Sequence, residues 1–225
     1  MNNIKTIAFD LDNTLFSRQE CFAKYCHWLT QKYLSNCGDE LETVDWLMGI
    51  DNGGKLDDLD FVKVINQKFN LNLDIKTAIW ERENINPTFA SLEKNTLEIL
   101  TKLKTKYKLA IITNGQTVMQ NIKIDSLDFR DLFEVILISQ EEGVAKPSVV
   151  IFQTLCQKLN CKANDILFVG DNPIADIWGA KNAGMQTCWR SWQEKDKDTF
   201  QGWQNKEFCP NFTITGLSEL LEIVN

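Results

Sequence analysis

The sequence predicts an α/β protein: a parallel β-sheet with helices on both faces and an all-helical insert after its first strand. Three observations predict it. Short apolar, β-rich runs alternate with helical stretches in the second half of the chain. Residues 17–87 carry helical spacing and no convincing strand. The informative polar residues follow directly on strands, at the edge where open parallel sheets bind ligands.

Taken in order, the first strand is Ile4–Phe9, and it runs into Asp10. Two apolar stripes mark helices in the insert: Phe22, Cys26, Leu29 and Tyr33, then Phe61, Ile65 and Phe69. "DNGGK" (51–55) reads as a turn between insert helices, with Lys55 within reach of an anionic substrate, and "NINPT" (84–88) as the return linker. Leu92, Ile99 and Leu103 then share a helical face. Strands follow at 109–113 ("LAIIT"), 135–139 ("VILIS"), 166–170 ("ILFVG") and 186–190 ("QTCWR"). Ile151, Leu155 and Leu159 mark a helix between the third and fourth. "FTITGLSELLEIV" supplies a last short strand and helix. The expected division is a core of 1–16 and 88–225 interrupted by a helical module of 17–87.

Composition excludes several partners. The chain has 225 residues, 44% of them hydrophobic, enough for one substantial core and a modest second module. Lys and Arg number 24 against 31 Asp and Glu, a formal charge of −7. That balance gives no electrostatic footprint for a nucleic acid polymer or an anionic membrane. An anionic substrate must therefore find its positive charge inside a local site. No apolar stretch is long enough to span a bilayer, and "MNNIKTIAFD" lacks the regions of a signal peptide. Seven cysteines without a CxxC pair read as free thiols of a cytoplasmic protein, not a zinc site. His27 is the only histidine and sits on a helix face, so a Ser-His-Asp or Cys-His mechanism has little footing.

The polar residues at the strand ends carry the chemistry. Asp10 and Asp12 follow strand one; Thr113, Asn114 and Gly115 follow strand two. Lys146 lies beyond strand three, and Gly170, Asp171 and Asp176 follow strand four. Each group alone is an ordinary turn or cap. Together they converge on one sheet edge. Clustered carboxylates repel and resist burial unless a hard divalent cation binds among them, and Mg2+ takes a few carboxylates plus phosphate oxygens. With Lys146 beside them, such a site holds an anion. Asp10 is then placed to attack phosphorus, forming an aspartyl-phosphate. Asp12 is placed to protonate the leaving oxygen and later to deprotonate water.

At these residues the chain resembles the haloacid dehalogenase-like (HAD) hydrolase superfamily. "FDLDNT" matches its first motif, Thr113 in "IITNG" its second, Lys146 in "AKP" its third and "GDNPIAD" its fourth. The resemblance covers Ile4–Phe16 and Leu92–Arg190, and it implies a Rossmann-like core with the insert as an all-α cap. It also implies that Asp10 is nucleophile and Mg2+ ligand, and that Asp12 is acid/base with its backbone carbonyl on the metal. Thr113 and the Asn114 backbone would hold phosphoryl oxygens, and Lys146 would neutralise nucleophile and phosphate. Asp171 would complete the metal site, with Asp176 supporting it. The family's dehalogenases replace the second acid of motif one, so Asp12 favours phosphate esters. "ISQEEGVAKP" and "AGMQTCW" resemble the branch containing bacterial pyrimidine 5′-nucleotidases and acylneuraminate-9-phosphate phosphatases. The expected activity is Mg2+-dependent hydrolysis of a small phosphorylated metabolite, a nucleoside 5′-monophosphate or a sugar phosphate. The alternatives are a phosphomutase or phosphotransferase, a haloacid dehalogenase, and a catalytically silent binding protein.

Overall fold

The structure, a computed structural model, describes residues 4–192 and 209–224. Residues 193–208, part of the expected core segment, lie outside the described residues. The chain opens with β1 (Thr6–Phe9), then four helices: α1 (Arg18–Leu29), α2 (Glu40–Asp51), α3 (Asp58–Phe69) and α4 (Ile75–Asn84). It continues through α5 (Thr96–Lys104), β2 (Lys108–Thr113), α6 (Thr117–Ser126), β3 (Val135–Ile138), α7 (Ser139–Glu142) and α8 (Val149–Leu159). β4 (Ile166–Gly170), α9 (Gly179–Asn182), β5 (Gln186–Arg190), β6 (Phe212–Ile214) and α10 (Leu220–Ile223) complete it.

All strand pairs are parallel, in the order β3-β2-β1-β4-β5-β6. β1 and β4 are buried along their whole length, which is why they read as unbroken apolar runs instead of alternating. Alternate residues go to opposite faces. Ile7, Phe9, Ile111 and Val169 pack with Ile99, Leu100 and Leu103 of α5 and Ile124 of α6. Ala8, Ala110 and Phe168 face Ile151, Phe152 and Leu155 of α8. The chain moves from β1 outward to β3, then returns to β4 on β1's other side. Strand order therefore reverses between β1 and β4, and a crevice opens at their carboxyl ends.

Helices α1–α4 form a module with a core of its own, built on Phe22, Tyr25 and Leu29 of α1, Val44 and Leu47 of α2, and Phe61 and Ile65 of α3. Side-chain caps start them: Ser17, Asp39, Asp57 and Asp74 each accept backbone N–H bonds. Asn52 and Asn70, in the left-handed conformation, end α2 and α3. A buried ion chain crosses this core. Arg82 donates to Asp51 Oδ1 at 2.7 Å and pairs with Asp58, its guanidinium lying 4.0 Å from the Phe61 ring centroid. Both Arg18 amino groups reach Asp51 Oδ2 at 3.2 Å. The chain enters and leaves this module side by side, joined by an antiparallel bridge between Phe16 and Leu92.

Three expectations shift. Leu92 is not on the α5 face, because Asn95 at φ 68° breaks the helical path and α5 begins at Thr96. "NINPT" overlaps the last residue of α4 and a short 3₁₀ turn, Asn86–Phe89. Tyr33 falls in a wider π turn, Thr30–Leu34, that prolongs α1. Among the described residues no helix is long and apolar enough to cross a membrane.

Candidate active site

Asp10, Asp12, Thr113, Asn114 and Asp171 sit at or just past the carboxyl end of a strand. Lys146 lies beyond α7, and Asp176 in the π turn Pro173–Trp178 that follows β4. The Asp10 N–H donates to Val169 O at 2.8 Å, so the β1–β4 pairing fixes its backbone at the crevice. Lys146 Nζ lies 2.6 Å from Asp10 Oδ1 and 2.7 Å from Asp176 Oδ1, and all three side chains are buried. The other Asp10 oxygen accepts from Thr14 Oγ1 at 3.0 Å. Asp176 Oδ2 accepts from the Asn172 N–H at 2.9 Å. Asp171, half-buried, has its backbone carbonyl held by Trp189 Nε1 at 2.7 Å. Lys146 precedes a cis Pro147, and Asn114 pins its backbone: Nδ2 donates to Lys146 O and Oδ1 accepts from Lys146 N, both at 2.9 Å.

Asp10, Asp171 and Asp176 each offer an oxygen within 4.8 Å of the others. Such a trio is strained electrostatically. Burial raises the Asp10 carboxyl most, Lys146 pulls it back and Asp176 raises it again, to about 7. Burial, then Asp10 and Asp176, push Asp171 up to about 8. Burial works against the Lys146 charge, yet Asp10 and Asp176 together hold its pKa above the ordinary value. Three oxygen donors short of positive charge match the all-oxygen preference of a hard divalent cation, so the residues fit Mg2+.

Asp12 stands apart from this trio. Burial would raise its carboxyl, but Lys123, by charge and hydrogen bond, and then Gln120 hold it below the ordinary value. Lys123 Nζ reaches its two oxygens at 2.7 and 2.9 Å, and Gln120 Nε2 donates to Oδ2 at 2.8 Å. The same Gln120 amide donates to Thr113 Oγ1. The sequence reading missed Thr14, Gln120 and Lys123. Thr14 had a signal, four residues after Asp10 in one turn; Gln120 and Lys123 had only their i,i+3 spacing.

Beyond Asn13 a cleft of about 1170 Å3 opens toward the insert. Arg18, Met48, Asp51, Gly53 and Trp192 are among the residues that line it. Trp192 Nε1 is anchored on Asn13 O at 2.6 Å. From the "DNGGK" loop the wall receives Asp51 and Gly53, and Lys55 is not part of it. His27 lines the same cleft and pairs with Glu40 Oε1 at 3.0 Å.

A doubly wound parallel sheet with carboxylates and a buried lysine at its switch point places the chain among the α/β proteins whose ligand crevice lies at the carboxyl ends of the strands. Residues 7–190 match the profile of the haloacid dehalogenase-like hydrolase family, and the chain belongs to that family. It is 32% identical over 230 residues to the glyceraldehyde 3-phosphate phosphatase of Methanocaldococcus jannaschii, covering 98% of this chain and 97% of that one. It is 33% identical over 129 residues to pyrimidine 5′-nucleotidase YjjG of Escherichia coli, 57% of this chain and 54% of that protein. In fold it is similar to YfnB of Bacillus subtilis, a HAD-family protein solved bound to magnesium. The TM-score is 0.76 at 20% identity, over 99% of each chain.

Proposed function

We propose that the protein is a phosphomonoesterase that hydrolyses a small phosphorylated metabolite through an aspartyl-phosphate on Asp10. The observation that carries this reading is Lys146 bridging Asp10 and Asp176 beside Asp171, one buried cation among three carboxylates. The family membership and the phosphatases among the relatives support it.

In this reading Asp10 attacks phosphorus and the ester P–O bond breaks. Asp12, which Lys123 and Gln120 hold ionised before substrate arrives, takes up a proton as the anionic ester binds and gives it to the leaving oxygen. Water then attacks the phosphoryl group, returns a proton to Asp12 and frees Asp10. Thr113, the Asn114 backbone and Lys146 bind the phosphoryl oxygens as negative charge shifts onto them. Thr14 and Lys146 fix the two oxygens of Asp10, so the nucleophile is oriented before substrate arrives. Asp10, Asp171 and the Asp12 backbone carbonyl would hold Mg2+, with Asp176 supporting. When bound it supplies positive charge to nucleophile and phosphoryl oxygens alike.

Residues 17–87 act in this proposal as a cap over the crevice, and the cleft between Trp192 and α2 takes the leaving group. A nucleoside 5′-monophosphate or a sugar phosphate is the substrate class we favour, since both fit a cleft of mixed polar and apolar lining. Presence of Asp12 counts against halide displacement, which needs no proton donor. The test is a panel of phosphorylated metabolites assayed for phosphate release with and without Mg2+. Release from several members with Mg2+ supports the reading. An inert panel, with an active haloacid or none, overturns it.

A further inference from the structure

We propose that Gln120 and Lys123 of α6 are positioning residues that set the direction of the hydrogen bonds at Thr113 and Asp12; the inference rests on the phosphatase reading above. Neither belongs to a strand-end motif. Both side chains are buried, 2% and 7% exposed, and they stand one helical turn apart on one face of α6.

Which atoms can donate decides how the Gln120 amide is turned. A lysine ammonium only donates, so the Gln120 atom 2.7 Å from Lys123 Nζ must be the carbonyl Oε1. The amide orientation is thereby fixed by chemistry. Its NH2 group then faces the other way, with its hydrogens directed at Asp12 Oδ2, 2.8 Å away, and at Thr113 Oγ1. A threonine oxygen that accepts from Gln120 keeps its own O–H proton for another partner. In the crevice that partner is a phosphoryl oxygen. One lysine thus orders a chain: Lys123 donates to Gln120, Gln120 to Thr113, and Thr113 to phosphate. The same lysine grips both Asp12 oxygens at 2.7 and 2.9 Å, which leaves the carboxylate little rotational freedom.

Two further features fit a built arrangement. Gly115 makes room for the amide, since a Cβ there would lie 2.9 Å from Gln120 Cδ. α6 also packs against α4 and the 86–89 turn, so the helix that orients the two groups touches the insert as well. Away from water, hydrogen-bond polarity of this kind persists, because reversing it strands a buried donor or acceptor.

The experiment compares wild type, Gln120→Glu, Gln120→Met, Lys123→Met and Lys123→Arg on an alkyl phosphate and on 4-nitrophenyl phosphate. A parallel measurement is the thermal shift given by beryllium fluoride with Mg2+. Gln120→Glu keeps the shape and the Lys123 contact but cannot donate to Thr113 or Asp12. It should lose about 10²-fold in kcat on the alkyl ester, under about tenfold on the aryl ester, and most of the beryllium-dependent shift. Gln120→Met, which carries no added charge, should fall the same way if the Glu variant folds poorly. Lys123→Met should show the same leaving-group dependence, with Lys123→Arg recovering much of it. In an Asp12→Asn background, Lys123→Met should cost little more on the aryl ester. Equal alkyl and aryl losses, with full additivity to Asp12→Asn and an unchanged shift, would overturn the positioning role and leave the phosphatase reading standing. A wild type that releases no phosphate and shows no shift would overturn both.

Discussion

Gly170 and Asp176 occupy one space. A Cβ on residue 170 would lie 2.5 Å from the Asp176 carboxylate carbon, so the strand β4 must end in glycine for that acid to fold back over it. Gly170→Ala should force Asp176 away from Lys146 and the Asn172 N–H. Overpacking of this kind costs about 1–3 kcal/mol. The expected outcome is phosphate release lowered at least about tenfold, with half-saturation at a higher Mg2+ concentration. Mg2+ titrations of both proteins check it, and superimposable curves would remove Asp176 from the site.

Asp10→Asn should abolish turnover while leaving the thermal unfolding curve nearly in place, because an amide cannot attack phosphorus. Beryllium fluoride bonds to an ionised carboxylate, and a native-state ligand at a hundredfold excess over its Kd adds about 2.7 kcal/mol of stability. Wild type with Mg2+ should gain that shift and Asp10→Asn should lose it. An undiminished shift in the variant means the adduct forms elsewhere.

Acidity and metal should trade places in stability. Asp10 and Asp171 titrate near 3.8 when exposed but are pushed up to about 7 and about 8 in the fold. Raised folded pKa values mean the folded chain binds these protons more tightly. Their contribution is complete below the unfolded value and is lost as pH rises through the folded ones. With a chelator present, Tm should therefore fall between about pH 5 and about pH 8. Mg2+ competes for the same oxygens, so the Tm gain it produces should grow over that interval. Asp171→Asn should flatten both trends. A Mg2+ gain of equal size at both ends would contradict the assignment.

Asp51→Ala should unfold the insert before the sheet. Arg82 would be left buried with only Asp58, and breaking a buried pair from one side costs about 3–5 kcal/mol. Urea unfolding followed separately by tryptophan fluorescence and by far-ultraviolet circular dichroism measures it. A loss below about 1 kcal/mol would show that Asp58 alone suffices for Arg82.

The strands were legible because burial on both faces leaves unbroken apolar runs, as in "ILFVG". Asp10, Asp12, Thr113 and Asp171 stood out in the sequence because they follow closely on such runs, Lys146 because it precedes a proline ahead of a helix, and Asp176 because it follows Pro173 in the turn after β4. Leu92 misled because Asn95, in a conformation no composition announces, separates it from α5. Arg18 and Asp51 escaped notice because their pairing depends on how α1 meets α2, which no local pattern encodes. Gln120 and Lys123 escaped for a similar reason: on a polar helix face, a lysine bound inward to a strand end looks like any solvated one.

The bridge between Phe16 and Leu92 makes the whole insert a loop whose two ends are already neighbours. Closing such a loop costs the sheet only about 0.6 kcal/mol more for each doubling of its length, since that cost rises with the logarithm of length. The sheet is thus insulated from what is carried on it. Evolution can trade, lengthen or erase the insert at this one doorway without re-registering a strand, so new specificities are open to exploration while the chemistry beneath stays assembled.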